Sequence, residues 1–168
     1  MLRLGFAAGF LACAGLIAFA LYLQYFEYEE PCPLCILQRG VYLAMMALFL
    51  LAALHGPGRT AAAIYGGLLV AAAATGAAIA GRQVWLQHLP PERVPECGPG
   101  LSYLLERYPL PQALGKILAG TGDCAQTGWT FLGLSIAGWS LVWFVLLGCL
   151  AFFLALLGAR AAPGEPSR

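Results

Sequence analysis

Charge is what this sequence has least of. Only 10% of its 168 residues are Asp, Glu, Lys or Arg, while 61% are hydrophobic and the mean hydropathy is +0.78. A soluble domain carries about 25% charged residues because it must present a hydrated surface. A soluble fold with an unusually large core would need polar cover that this chain does not have. The formal net charge is +1, too small for bulk electrostatic attraction to nucleic acid, so no nucleic-acid partner is expected.

A second close cysteine pair is also missing. Structural zinc sites usually draw on two such pairs, and here the one close pair is Cys32-Pro33-Leu34-Cys35, so no metal site is expected. Ile36 rather than histidine follows Cys35, which removes the Cys-x-x-Cys-His signature of haem attachment. Nor does the pair sit in the strand–helix setting of a thioredoxin-like fold.

Long apolar runs are what the chain does have. A membrane span needs about 20 apolar residues. Runs of that length cover about 4–26, 34–54, 60–86 and 136–157. The first, preceded by Arg3 and containing Ala18-Phe19-Ala20, has some features of a signal peptide. It is longer than the roughly 7–15 residues of a signal core and continues past that site, so an uncleaved span is expected. The third run is rich in Ala and Gly, small residues that let membrane helices approach closely. The expected fold is all-α: a single four-span membrane domain over 1–168, with outer loops at about 27–33 and 87–135.

Basic residues near span ends favour the cytoplasmic side. Four spans place both termini and the turn between the second and third on one side, with Arg3, Arg59, Arg160 and Arg168. The first turn carries Glu27, Glu29 and Glu30 on the other side. The termini are therefore expected in the cytoplasm. Cys32, Cys35, Cys97 and Cys124 then face the compartment where disulfides persist. Cys13 and Cys149 lie inside apolar runs and read as packing residues.

The long loop has some order of its own. Leu101, Leu104, Leu105 and Tyr108 fall at helical spacing, and Leu114, Ile117 and Leu118 continue the pattern after Pro109 and Pro111. Such an amphipathic stripe suits either the membrane interface or the ends of the bundle.

The Cys32–Cys35 spacing allows a bridge when the second cysteine sits in the first turn of a helix, and Pro31 and Pro33 suit such a start. Unpaired N–H groups and the positive helix end stabilise a thiolate there. A bridge across two residues constrains the unfolded chain little, which favours an exchangeable bond over a structural one. Arg39 lies four residues beyond Cys35, on the same helical face. An arginine inside a span is costly and points to function; snorkelling to the interface is the alternative. Cys97 in PECGPG and Cys124 in GTGDCAQTG read as flexible, exposed positions. They are open to attack by another protein's thiolate, and a structural staple for the loop fits their spacing equally well. His88 follows the third span, where an interface residue is the usual reading and a proton-coupled step the alternative. Trp85, Trp129, Trp139 and Trp143 near span ends fit an aromatic belt.

PCPLCILQR at the second span, GDCAQTGWTFLGL before the fourth, Cys97 in the long loop and four spans together resemble the DsbB family, disulfide bond formation protein B. The resemblance runs along nearly the whole chain. It implies an enzyme of the bacterial inner membrane that reoxidises a periplasmic DsbA-like, thioredoxin-fold oxidase and passes two electrons to a membrane quinone, ubiquinone or menaquinone. It implies that Cys32 and Cys35 form the quinone-coupled pair, with Cys35 facing the quinone as a thiolate. Cys97 and Cys124 would be the pair that exchanges with the partner, Cys97 forming the mixed disulfide. Arg39 matches the family's quinone-site arginine, and His88 falls where the family often has a histidine near the quinone. Gln38 stands where the family often has an acidic residue. Two other readings are a relative of vitamin K epoxide reductase and a non-catalytic membrane scaffold stiffened by its bridges; the GDCA segment argues against the first.

Overall fold

The computed structural model describes residues 2–28, 31–95, 103 and 106–160. Four long helices dominate: α1 (Leu2–Phe26), α2 (Pro33–His55), α3 (Arg59–Gln87) and, last in the chain, α6 (Ile136–Arg160). Each is long and apolar enough to cross a membrane. They coincide with the four apolar runs to within about three residues at each end, since a helix satisfies its own backbone groups inside lipid. Gly56, in left-handed backbone, stops α2 and returns its N–H to the Ala52 carbonyl at 3.1 Å.

Between α3 and α6 the loop folds back onto one end of the bundle. It contains a 3-10 turn (Pro91–Arg93), then α4 (Leu110–Ala119), the single turn α5 (Gly122–Ala125), and a hairpin of β1 (Thr130–Phe131) and β2 (Leu134–Ser135). The hairpin turn puts both Leu132 (φ 51°) and Gly133 (φ 78°) in positive φ. That geometry matches the twist of the paired strands; Gly133 adopts it freely, while Leu132 does so at a cost.

Helix α3 packs most extensively on α6, and α1 on α2. Gly66 on α3 lies directly against Ala151 and Ala155 of α6, the close approach that small residues permit. The main core holds Phe6, Met45, Phe49, Leu69 and Phe144, with the Tyr42 and Phe144 rings stacked at 4.1 Å. Large apolar side chains such as Leu11, Leu51 and Phe153 point outward, as lipid-facing residues do. Cys13 is buried in the core, but Cys149 is exposed on α6; it shares the outward face with Val145, Leu146 and Phe153, which corrects its reading as a packing residue.

A second, smaller core lies under the loop and joins Leu34, Ile79, Leu86 and Ile117 to Cys32 and Cys124. Helix α4 contributes Ala113 and Ile117 inward and leaves Leu110, Leu114 and Leu118 exposed. It therefore packs on the bundle end and still presents an apolar stripe outward. The preceding stripe of Leu101, Leu104 and Leu105 lies outside the described residues.

Candidate active site

The site is built where α2 begins. Cys32 is its N-cap residue, in extended backbone, and Pro33 opens the helix, where a missing N–H costs nothing. The Cys32 sulfur accepts a hydrogen bond from the main-chain N–H of Cys35 at 3.4 Å. The two sulfurs stand 3.0 Å apart, both as free thiols.

The loop brings a third sulfur to the same place. Cys124 on α5 is fully buried and packs in the same small core as Cys32. The close Cys32–Cys35 pair thus has a third sulfur in the core beneath it. The expectation of an exposed Cys124 is corrected here: Asp123, Gln126 and Thr127 are exposed, while Leu86 and Ile117, remote in sequence, pack with it in the second core. Gly120 allows this turn. Its backbone (φ 84°, ψ 152°) suits only glycine, and a Cβ there would lie 2.3 Å from a Leu86 methyl.

The hydrogen bond from Cys32 is the main cause holding the Cys124 thiol down to about 6. Burial opposes it, and main-chain hydrogen bonds from Thr121 and Leu34 assist. The same contact with Cys124, the neighbouring Cys35 and burial push the Cys32 thiol well above its ordinary range. In this reduced cluster Cys32 keeps its proton and Cys124 is the nucleophilic thiolate.

Two glutamines complete the cluster. The Gln83 amide nitrogen lies 3.3 Å from the Cys32 sulfur and 3.2 Å from that of Cys35. Gln38 donates to the Gln83 amide oxygen at 2.7 Å.

A cavity of about 850 Å³ adjoins the sulfurs, lined by Cys35, Gln38 and Arg39 together with the aromatic residues Phe19, Trp129 and Trp139. Trp139 is fixed by donating its ring N–H to the Phe131 carbonyl at 3.0 Å, and Trp129 stacks on Phe131. Arg39 is braced against α1, donating to the Gln24 side-chain oxygen and, at 3.1 Å, to the Ala20 carbonyl. Both acceptors are neutral, so its positive charge is not cancelled by them. An aromatic slot with a fixed cation and a thiol on its wall fits a flat, apolar ring carrying carbonyl oxygens, as a quinone does.

Of the other residues singled out from sequence, His88 is exposed and does not line this cavity. Its Nδ1 lies 2.8 Å from the Val84 carbonyl, and it borders a smaller hollow with Gln87 and Ser135. Cys97 lies outside the described residues. Gln83 is not among the residues that stand out in the sequence, and Trp129 and Trp139 stand out there only as belt residues. Gln38 and Gln83 do carry a signal: one sits just inside the start of α2 and the other just before the end of α3, at the same depth of an antiparallel pair.

The model of the family described as "Disulfide bond formation protein DsbB" matches residues 2–154. The chain belongs to the DsbB family. It is 54% identical over 146 residues to "Disulfide bond formation protein B" of Methylococcus capsulatus, covering 87% of this chain and 89% of that one. The protein of the same name from Azoarcus sp. (strain BH72) is 50% identical, with 92% of each chain covered. That of Chromobacterium violaceum is 51% identical over 94% of each. The DsbB family assignment and the four apolar helices make this a multi-pass bacterial membrane protein with an all-α bundle, acting in disulfide bond formation.

Proposed function

We propose that this chain reoxidises a DsbA-like, thioredoxin-fold oxidase in the periplasm and passes the two electrons to a membrane quinone. The observation that carries this reading is the position of Cys32, 3.0 Å from the Cys35 sulfur and packed in one small core with Cys124, beside a cavity that Cys35 and Arg39 line.

Each step is a thiolate attack on a disulfide. A partner thiolate attacks the Cys97–Cys124 bond at Cys97, and Cys124 leaves as a thiolate with the bonding pair. The partner's second thiolate attacks the mixed disulfide, releasing oxidised partner and the Cys97 thiolate. Cys124 attacks Cys32 in the Cys32–Cys35 bond, and Cys35 leaves as a thiolate. Cys97 then attacks Cys124, restoring their bond and freeing Cys32. The pair now holds two electrons at the cavity wall. A bound quinone supplies a two-electron, two-proton acceptor there, ubiquinone or menaquinone alike. Arg39 is suited to bind a carbonyl oxygen. Arg3 and Arg59, near span ends on one side, support cytoplasmic termini. This orientation puts the sulfurs on the oxidising side.

The test is direct. Detergent-solubilised protein, a reduced thioredoxin-fold partner and quinone are mixed, and quinone absorbance is followed. Loss of oxidised quinone above the no-protein control is expected; no loss rejects the proposal. Cys97→Ala is expected to abolish a trapped covalent complex with the partner.

A further inference from the structure

We propose that Gln83 is a catalytic residue of the sulfur cluster: its side-chain amide donates to the Cys32 and Cys35 sulfurs as negative charge arrives on them, and Gln38 aims that amide. This rests on the redox role proposed above for the Cys32–Cys35 pair.

Burying an amide in an apolar bundle is unfavourable unless its hydrogen bonds are made. The buried polar residues among those described are Gln38, Gln83 and Thr121, and all three surround the sulfurs. Thr121 places its hydroxyl 3.8 Å from the Cys124 sulfur. Gln83 faces the other pair, and Gln38 is bonded to Gln83. No buried side-chain nitrogen or oxygen among the described residues lacks a partner.

Gln83 uses its whole hydrogen-bonding capacity here. An amide offers two N–H donors and an oxygen with two acceptor positions. Its nitrogen faces both sulfurs, at 3.3 and 3.2 Å. Its oxygen accepts from Gln38 at 2.7 Å and lies 3.6 Å from the Cys35 thiol. The orientation follows from chemistry. A disulfide or thiolate sulfur only accepts, so the nitrogen is the end that approaches both sulfurs most closely, and the Gln38 donor fixes which end of the amide is the oxygen. When Cys35 carries a proton, the same oxygen is its acceptor. One amide therefore serves the oxidised, anionic and protonated states without moving.

Arg39 does not take this part, because its guanidinium is engaged by Gln24 and Ala20 on α1. Among the described residues, the other ionisable side chains near the cluster are Cys124 and, lining the cavity, Tyr42 and Asp123. When Cys124 attacks Cys32, the Cys32–Cys35 bond breaks and the electron pair goes to the Cys35 sulfur, directly onto a Gln83 N–H. A neutral donor stabilises that charge without the added cation that would bind the thiolate too tightly to release its electrons.

The test needs neither quinone nor partner. Full-length protein in detergent is equilibrated in glutathione buffers of known ratio, alkylated, and the Cys32–Cys35 pair mapped by mass. Gln83→Met, which keeps size and removes the amide, is expected to lower the equilibrium constant for reducing the pair about tenfold, a shift of about 30 mV for two electrons. Gln38→Leu is expected to lower it about threefold. A folded Gln83→Met protein with the wild-type constant overturns the proposal, because a packing role predicts that result. Should Gln83→Met not fold, Gln38→Leu decides by the same criterion, an unchanged constant overturning the proposal. A wild-type protein that leaves quinone oxidised rejects the proposed function but leaves this equilibrium measurable, so the two failures are distinguishable.

Discussion

Arg82 donates a hydrogen bond to the main-chain carbonyl of Ala119 at 2.9 Å, joining α3 to the last residue of α4. The guanidinium also lies 4.3 Å over the Trp85 ring, an attraction of charge to the ring face. Cationic side chains at a helix C-terminus satisfy its last carbonyls. Because α4 is followed directly by Gly120 and the turn carrying Cys124, this contact holds the third sulfur in place. Arg82→Ala is expected to cost about 1 kcal/mol of loop docking, a typical value for one hydrogen bond. Cys124 should then react with a small maleimide roughly fivefold faster, with little change at Cys35. Mass-mapped alkylation time courses check this.

Gly120 offers a sharper test of the same loop. Gly120→Ala adds a Cβ where the backbone favours glycine and where Leu86 already occupies the space. Strained backbone of this kind costs about 1–3 kcal/mol. The expected outcome is a lowered thermal midpoint of the loop-docked state and slower exchange between Cys124 and Cys32. Leu86→Ala combined with Gly120→Ala removes the collision but not the backbone strain, and should recover only part of the loss.

The bundle was legible because a membrane helix writes itself in one dimension: some twenty apolar residues in a row suffice. The thiol pair was legible for the same reason, since Cys32 and Cys35 are three residues apart and Pro33 marks the helix start. Cys124 was harder. GTGDCAQTG looks like open loop, yet Leu86 and Ile117 pack with the cysteine from far along the chain. Gln83 was invisible for a related reason. Alone it is an ordinary polar residue near a span end, and only Gln38, 45 positions away, gives it meaning. Leu132-Gly133 concealed the hairpin, because leucine is not a usual occupant of left-handed backbone.

The reactivity of Cys124 should depend on pH in a way that reports its contact with Cys32. A thiol attacks as its thiolate, and this one is held down to about 6 chiefly by the Cys32 hydrogen bond. In reduced protein its alkylation rate should rise through about pH 6 and level off above it. Cys32→Ala removes the contact and leaves burial as an opposing influence. The midpoint should then move upward toward the ordinary thiol value of 9.0, so that at pH 7 the rate falls at least tenfold. A profile unchanged by Cys32→Ala would separate Cys124 from the sulfur it is placed to attack.

Arg39 tests the far wall of the site. Its two hydrogen bonds to α1 fix the guanidinium beside the cavity, so a ring oxygen there would meet a donor already oriented. A hydrogen bond involving a charged group contributes about 1.5–3 kcal/mol. Arg39→Ala is therefore expected to lower kcat/KM for quinone roughly ten- to a hundredfold. Arg39→Lys keeps the charge but loses the forked geometry that reaches Gln24 and Ala20 together, and should recover only part of the activity. Both variants should leave the exchange between Cys124 and Cys32 intact, because that step lies on the other side of the sulfur cluster. Steady-state quinone reduction combined with quinone-free thiol mapping separates the two effects; wild-type quinone kinetics in Arg39→Ala would remove the guanidinium from the acceptor site.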